Sequence, residues 1–324
     1  MKCNVLRPLN NKGVALITVI LIISILVAAA LELNRSSRLD VHEAANTSDG
    51  IRLNYVAKSG FHGAGALILN AQGEYDTLRE PWANAEILSA QSREFFINSH
   101  FIVKVEDEKG KIPLNKLVEG NAVNENIRGL LLRLLSLPEF GLNEKQAGEI
   151  VDAIIDWIDE NDDVTGSGAE SAYYAAQGRP YAAKNAPLDC IEELLMIRGI
   201  NSEVYAGTQD KPGLAQYVTI YGTGAMNINT APKMVLRALS EKITVEIADK
   251  MDAYRKDGGN DLSSVLWYKN ITGLAGETIS PELIENVKSN FFRIYSTGVS
   301  GNMEQTITGI IQRSPFQIVT WRLD

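Results

Sequence analysis

The 324 residues suffice for one large or two modest domains, and an apolar share of 45% argues against long disorder. Lys plus Arg number 31 against 40 Asp plus Glu, a net charge of −9. That acidic balance excludes phosphate-backbone binding as the main task and favours solubility or cation binding. Of two cysteines, Cys3 lies in a basic leader and Cys190 stands alone in the body, so no disulfide can form once the leader is lost. Cys190 reads as a buried small hydrophobe.

The leader, residues 1–13, carries Lys2, Arg7 and Lys12 and no acid. Its removal leaves Lys plus Arg at 28 against 40 acids, a net charge of −12. Val14 to Leu31 then follow without a charge. Eighteen helical residues at about 1.5 Å each nearly cross a hydrocarbon core of roughly 30 Å, so this run predicts a membrane segment in the lipid bilayer. The basic leader stays inside and the body lies on the other side. Two kinds of processing remain open. A secretory signal would be cut after the small residues Ala28-Ala29-Ala30. A cut between Gly13 and Val14 would keep the helix, and a Lys-Gly junction abutting an apolar run resembles a class III, type IV pilin-like signal. That resemblance implies a prepilin peptidase. It also draws attention to mature position five, where pilins usually carry Glu and this chain has Thr18.

From Leu31 to about Leu69 the pattern stays helical. Val41, Ala44, Ala45, Ser48, Ile51, Tyr55, Ser59 and Ala66 recur at three- and four-residue steps, and no proline intervenes. One long helix is predicted, with this face packed on a globular body. Asn70 to Trp82 reads as a loop. Phe101–Val105 and Ile112–Leu117 flank the turn 106–111 and predict a hairpin. Residues 118–215 are mostly helical, with apolar spacing over Ile127–Leu135, Glu144–Ile158 and Leu188–Ile197. Tyr217–Tyr221 is a strand candidate. Thr230 is placed to cap the next helix, and another spans Thr244–Arg255. These paired short helices loosely resemble helix-hairpin-helix units. They lack a Gly-x-Gly turn and lie in acidic surroundings, so packing is the better reading and no nucleic acid is expected. Phe291–Ser296, Glu304–Gln312 and Gln317–Leu323 form a three-strand meander able to cover the long helix.

Catalytic machinery is thin. His42, His62 and His100 are unpaired by spacing, and there is no Gly-x-Ser-x-Gly elbow, Walker loop or His-Glu-x-x-His site. The informative stretch is Asp152 to Glu170. Six of the twelve residues from Asp152 to Asp163 are acidic. Asp152, Asp156 and Asp159 share one face near a helix C-terminus, where the dipole disfavours anions. Beyond them, Asp159, Asn161, Asp163, Ser167 and Glu170 fall at positions one, three, five, nine and twelve of a loop, with the Thr165 carbonyl at seven. Asp162 adds a further carboxylate. The spacing is that of an EF-hand, except that Val164 occupies position six where that loop needs Gly. Hard oxygen donors without His or Cys select Ca²⁺. The competing reading is a solvated acidic loop.

Several segments together resemble the minor pseudopilin K family of type II secretion, also called general secretion pathway protein K. They are Lys12-Gly13-Val14-Ala15-Leu16 and the sequence VEDEKGKIPLN over 105–115. DAIIDWID over 152–159, AESAYY over 169–174, Pro187-Leu188 to Arg198-Gly199 and Asn227-Ile228-Asn229-Thr230-Ala231 complete the set. The resemblance implies an α+β fold: a pilin-like long N-terminal helix packed on a small antiparallel sheet, with a large inserted α-helical domain. The corresponding bounds are a leader over 1–13, a transmembrane half-helix over 14–31, the amphipathic helix and first pilin-like part over 32–112, the insert over 113–215, and over 216–324 the rest of the insert and the last strands. It further implies a non-enzymatic cap of the pseudopilus tip, joined to minor pseudopilins I and J and dependent on an inner-membrane assembly platform. Single-pass anchoring in the bacterial inner membrane with a periplasmic body follows, as does calcium in the insert. Some members carry a disulfide near this region, for which Cys190 has no partner here. Two other classes remain: a membrane-anchored periplasmic metal-dependent binding or hydrolytic domain, and a competence-type DNA-uptake pilin.

Overall fold

The computed structural model describes residues 12–71, 73–284 and 287–323. The leader residues 1–11, with Lys2, Cys3 and Arg7, lie outside the described residues. α1 (Lys12–Asn70) is one helix of 59 residues, uninterrupted because no proline removes a backbone donor from it. Residues 14–49 are exposed all round, and the body begins at Gly50. From there Leu53, Val56, Ala57, Phe61, Ala64 and Ile68 form a buried stripe at helical spacing. This is not the stripe that the sequence pattern singles out, since Val41, Ile51 and Tyr55 are 57% or more exposed. Two interleaved rows satisfy the same period, and contact with the sheet decides which one turns inward.

After α2 (Glu86–Phe95) comes β1 (His100–Asp107), and the chain then leaves for the insert. The insert holds β2 (Ile112–Pro113), β3 (Val118–Glu119), β4 (Ala122–Val123), α3 (Glu125–Leu135), α4 (Glu144–Ile158) and α5 (Ser171–Ala175). It continues through α6 (Ser202–Ala206), β5 (Val218–Thr219), α7 (Lys233–Ala238), α8 (Val245–Lys256) and α9 (Pro281–Ile284). The chain returns as β6 (Phe291–Ser300), β7 (Met303–Gln312) and β8 (Gln317–Leu323). The main sheet has the order β1-β6-β7-β8, antiparallel throughout. The expected fold class is therefore the observed one.

Two cores result. Phe61 and Ala64 of α1 pack with Val103, Phe292, Ile294 and Ile307 of the sheet. The insert has its own core, in which Leu130, Ile154, Leu236, Met251, Trp267 and Leu283 share one cluster. Helix and sheet meet closely at Gly298, where a Cβ would sit 2.5 Å from the Leu53 carbonyl oxygen. Nearby, Ser296 Oγ donates to the Ala57 carbonyl at 2.7 Å.

Four details differ from the sequence reading. The hairpin across 106–111 does not form. β1 pairs with β6, and β2 pairs in parallel with β5, because Glu108 turns inward to meet Lys111 and Arg293 instead of continuing a ladder. The strand expected over Tyr217–Tyr221 shrinks to β5. Thr230 does not cap α7, which Pro232 precedes; its hydroxyl donates to Asp107 Oδ2 at 2.6 Å. Cys190 is exposed, since Ile191 and Leu194 of the following 3-10 turn take the inward positions.

Chain exit and return are tied together by buried polar groups. Asp107 Oδ2 also accepts from Ser289 Oγ at 2.5 Å and Asn227 Nδ2 at 3.3 Å. Asp76 accepts from both Arg313 terminal nitrogens, at 2.8 and 3.0 Å, and from the Ser289 amide at 2.7 Å. Burial pushes the Asp107 carboxyl up to about 6.

Replacing Gly298 by Val should separate α1 from the sheet and cost about 1–3 kcal/mol. Urea unfolding of the variant should show a lowered midpoint; an unchanged midpoint would contradict the close contact.

Candidate functional site

α4 begins with a capping box, in which Asn143 Oδ1 accepts from the Gln146 amide and Gln146 Oε1 accepts from the Asn143 amide. Its far end carries Asp152, Asp156 and the C-cap Asp159, all buried. The chain then loops over 160–170 and returns Glu170 to the helix end. Gly166 turns the loop with φ +53°, and a Cβ on Gly168 would collide with the Asp156 carboxylate. The loop is folded onto the acids by their own hydrogen bonds. Asp156 Oδ1 accepts from the Thr165 amide at 2.8 Å, and Asp152 Oδ2 accepts from the Ser167 amide at 3.0 Å. Arg198 Nη1 braces it from outside by donating to the Gly168 carbonyl at 2.9 Å.

Asp156, Asp159 and Glu170 come together with carboxylate oxygens within 4.8 Å of one another. Asp162 is exposed beside them, where its carboxylate accepts from the Ser171 amide at 3.3 Å. Asn161 Oδ1 is taken up by the Asp163 amide at 2.7 Å, and Asp163 and Val164 face solvent. The Thr165 carbonyl accepts from the Gly168 amide at 2.8 Å. Asp152 is held by Arg128 at 3.0 Å. The cluster thus gathers one turn of helix and the loop's last residue, rather than the alternating positions of an EF-hand loop.

Asn185 is the residue that spacing cannot find. It sits in left-handed backbone with φ +49°, its Nδ2 donates to the Asn161 carbonyl at 2.6 Å, and its Oδ1 is buried without a partner. Nothing in its sequence neighbourhood links it to an acidic loop that ends 15 residues earlier.

Electrostatics set this cluster apart. Burial, followed by the charges of Asp156 and Asp159, pushes Glu170 up to about 8. Burial also raises Asp156, with Asp152 adding to it, and raises Asp159, with Asp156 adding to it. Asp156 Oδ2, Asp159 Oδ1 and both Glu170 oxygens are buried with no hydrogen-bond partner. Buried carboxylates are ordinarily paired or coordinate a metal. Four orphaned hard oxygens in one small volume suit a divalent cation with oxygen preference.

At the other end of the molecule, Thr18 lies on the bare part of α1, and its Oγ1 donates to the Val14 carbonyl at 2.9 Å. The hydroxyl is satisfied within its own helix and would need no partner in a bilayer. The apolar window that α1 carries is long enough to cross a membrane and is not buried inside the protein.

A long N-terminal helix on a four-stranded antiparallel sheet, interrupted by a large helical insert, is a pilin-like architecture. Residues 110–222 match the family described as type II secretion system protein K. The expected resemblance to that family holds along the chain. Type II secretion system protein K of Pseudomonas aeruginosa is 24% identical over 94% of this chain and 89% of its own length. The Klebsiella pneumoniae protein K is 25% identical over 60% of each. Among solved structures, the crystal structure of the GspK-GspI-GspJ complex from the enterotoxigenic Escherichia coli type 2 secretion system contains a chain of the same fold. It aligns with a TM-score of 0.66 at 19% identity, covering 88% of this chain and 99% of that one.

Glu170 provides a pH test. In the unfolded chain its carboxyl ionises near 4.5, whereas in the folded, metal-free protein it keeps its proton to about 8. The folded state therefore holds the extra proton between these values, and stability falls as pH rises through the window. Melting in EDTA should show Tm decreasing from pH 5 to pH 8, with a flatter slope in Glu170→Gln. A slope equal in both proteins would assign the effect elsewhere.

Proposed function

We propose that this chain is a non-enzymatic minor pseudopilin that caps the tip of a type II secretion pseudopilus and starts its assembly. In this reading it sits in the bacterial inner membrane with its body in the periplasm, joins two other minor pseudopilins of the I and J kind, and supports export across the outer membrane. The observation that carries the reading is the insert, spanning 108–290 between neighbouring strands β1 and β6 of a pilin-like body. A stacking subunit has no need of such bulk, whereas a terminal one can carry it.

Thr18 supports the same role. A Glu at that position can pair with the amino terminus of a neighbour's helix inside the membrane, where an unpaired charge is costly. With Thr18 bonded only to its own helix, the subunit gains little from adding beneath a predecessor. A prepilin peptidase cut between Gly13 and Val14 fits this, because it leaves the whole apolar run in place. Mass spectrometry of the mature chain should find Val14 at the amino terminus, methylated. A terminus near Ala30 would remove the anchor and defeat the reading. A strain lacking the protein should secrete poorly and assemble pseudopili abnormally, and normal secretion would count against the tip role.

The acidic cluster is proposed to hold Ca²⁺ through Asp156, Asp159 and Glu170, with Asp162 and Asn185 Oδ1 as further donors. The ion would neutralise carboxylates that otherwise repel across the end of α4 and pin the loop to the insert core. Its task is structural. Calcium should raise Tm relative to EDTA. Asp159→Asn should weaken calcium binding at least about tenfold, or ~1.4 kcal/mol. Identical melting curves with calcium and with EDTA would remove the site.

A further inference from the structure

Asp107 joins three segments that are far apart in sequence. Its Oδ1 accepts from the Lys109 amide at 2.8 Å, where the chain enters the insert. Its Oδ2 accepts from Thr230, deep in the insert, and from Ser289, where the chain returns. Asp107 is only 6% exposed, yet it is not sealed off. With Thr230 it lines a cavity of about 720 Å³ between the sheet and the insert, through which a proton can arrive.

The charged groups around it are matched to others. Asp76 has Arg313 at 2.8 Å and Lys288 at 3.5 Å. Glu80 faces Asp76 and accepts from the Thr77 amide and Trp82 Nε1. Lys111 meets both Glu106 and Glu108 at 2.9 Å, and Arg293 meets Glu108 at 2.8 Å. Arg255 of α8 supports the backbone beside Thr230 and pairs with Asp252 at 2.7 Å. Lys109 Nζ donates to the Lys288 carbonyl at 2.8 Å. Asp107 itself has no ion-pair partner among the described residues, so its charge is met by neutral donors alone. Those donors have second acceptors. Thr230 Oγ1 lies 3.2 Å from the Asn227 carbonyl, and Asn227 Nδ2 also donates to the Asp76 carbonyl at 3.2 Å. A proton taken up on Oδ2 is therefore donated to Thr230 Oγ1, and the Thr230 proton turns to the Asn227 carbonyl. The exchange orphans no group and removes a buried charge.

We propose that Asp107 is a proton-operated lock between the pilin-like body and the insert. Neutral, it holds the exit, the 227–230 segment and the return together; ionised, it loosens them and frees the insert to shift. Burial places the carboxyl at about 6, above its ordinary 3.8. The stabilisation is therefore complete below pH 3.8 and is lost as pH rises through 6. The lock concerns the mechanics of the chain itself and does not rest on the tip reading.

The test is amide hydrogen exchange on the full chain in detergent micelles, corrected for the intrinsic effect of pH. Opening over 107–111, 226–231 and 287–292 should rise about tenfold from pH 5 to pH 7 and level off above pH 6. That factor is what one carboxyl imposes at about 6 when closed and 3.8 when open. The acidic loop over 159–170 is followed separately in the same samples, so Glu170 does not confuse the readout. Asp107→Asn mimics the neutral carboxyl and should keep the three segments closed at pH 7. If that variant lowers Tm at pH 5, Ser289→Ala serves instead. It removes a donor that favours the ionised form, so the rise should level off at a higher pH. Opening in the unaltered protein that is equal at pH 5 and pH 7 overturns the proposal. An undiminished rise in Asp107→Asn also overturns it and would assign the effect to Asp76 or Glu80, as does an unmoved levelling point in Ser289→Ala.

Discussion

The architecture depends on the place where the chain leaves the sheet and returns to it. Asp107 ends β1, and Ser289 lies just before β6. Asp107 and Ser289 share a hydrogen bond, and the Asp76 carboxylate bonds the Ser289 amide and Arg313. Without this clamp, a domain as large as the insert would hang from two unbraced strands. A carboxylate taken out of water is tolerated only when its oxygens are filled by donors. Here hydroxyls of Thr230 and Ser289, the Asn227 amide and the Arg313 guanidinium fill them. A second buried set reinforces the joint: Glu108 lies between Lys111 and Arg293, and is held below its usual ionisation range by those cations despite its burial.

The acidic cluster presents the opposite case. Asp107 and Asp76 are saturated by protein donors, whereas Asp156, Asp159 and Glu170 retain oxygens with none. The contrast within one molecule is more telling than the count of acids. Residues outside the cluster serve to hold the loop over it. Arg128 occupies Asp152, and Arg198 grips the Gly168 carbonyl. The carboxylates left over lie at the negative end of the α4 dipole, where anions are least welcome.

Much of the fold was legible because it rests on local patterns. The apolar run, the proline-free α1, the spacing of α3 and α4 and the three closing strands are each written in consecutive residues. What escaped depends on distant contacts. Glu106 to Lys111 reads as a hairpin turn until Arg293, nearly two hundred residues away, draws Glu108 inward. Thr230 reads as a cap until Asp107 claims its hydroxyl. The exposed row on α1 and the buried one have the same period, and only the sheet distinguishes them. In the candidate site, Asp156, Asp159 and Glu170 were visible by spacing. The loop geometry was not, because Val164 breaks the expected turn, and Asn185 reaches the loop at the Asn161 carbonyl from a separate segment.

The bare middle of α1 has a mechanical meaning. If residues 14–31 fill the hydrocarbon, residues 32–49 rise from it as a naked helix about 27 Å long before the body begins at Gly50. The globular part therefore stands clear of the lipid headgroups on a stiff stem. That clearance leaves the helix between body and membrane bare on every side, over a length that other chains could reach.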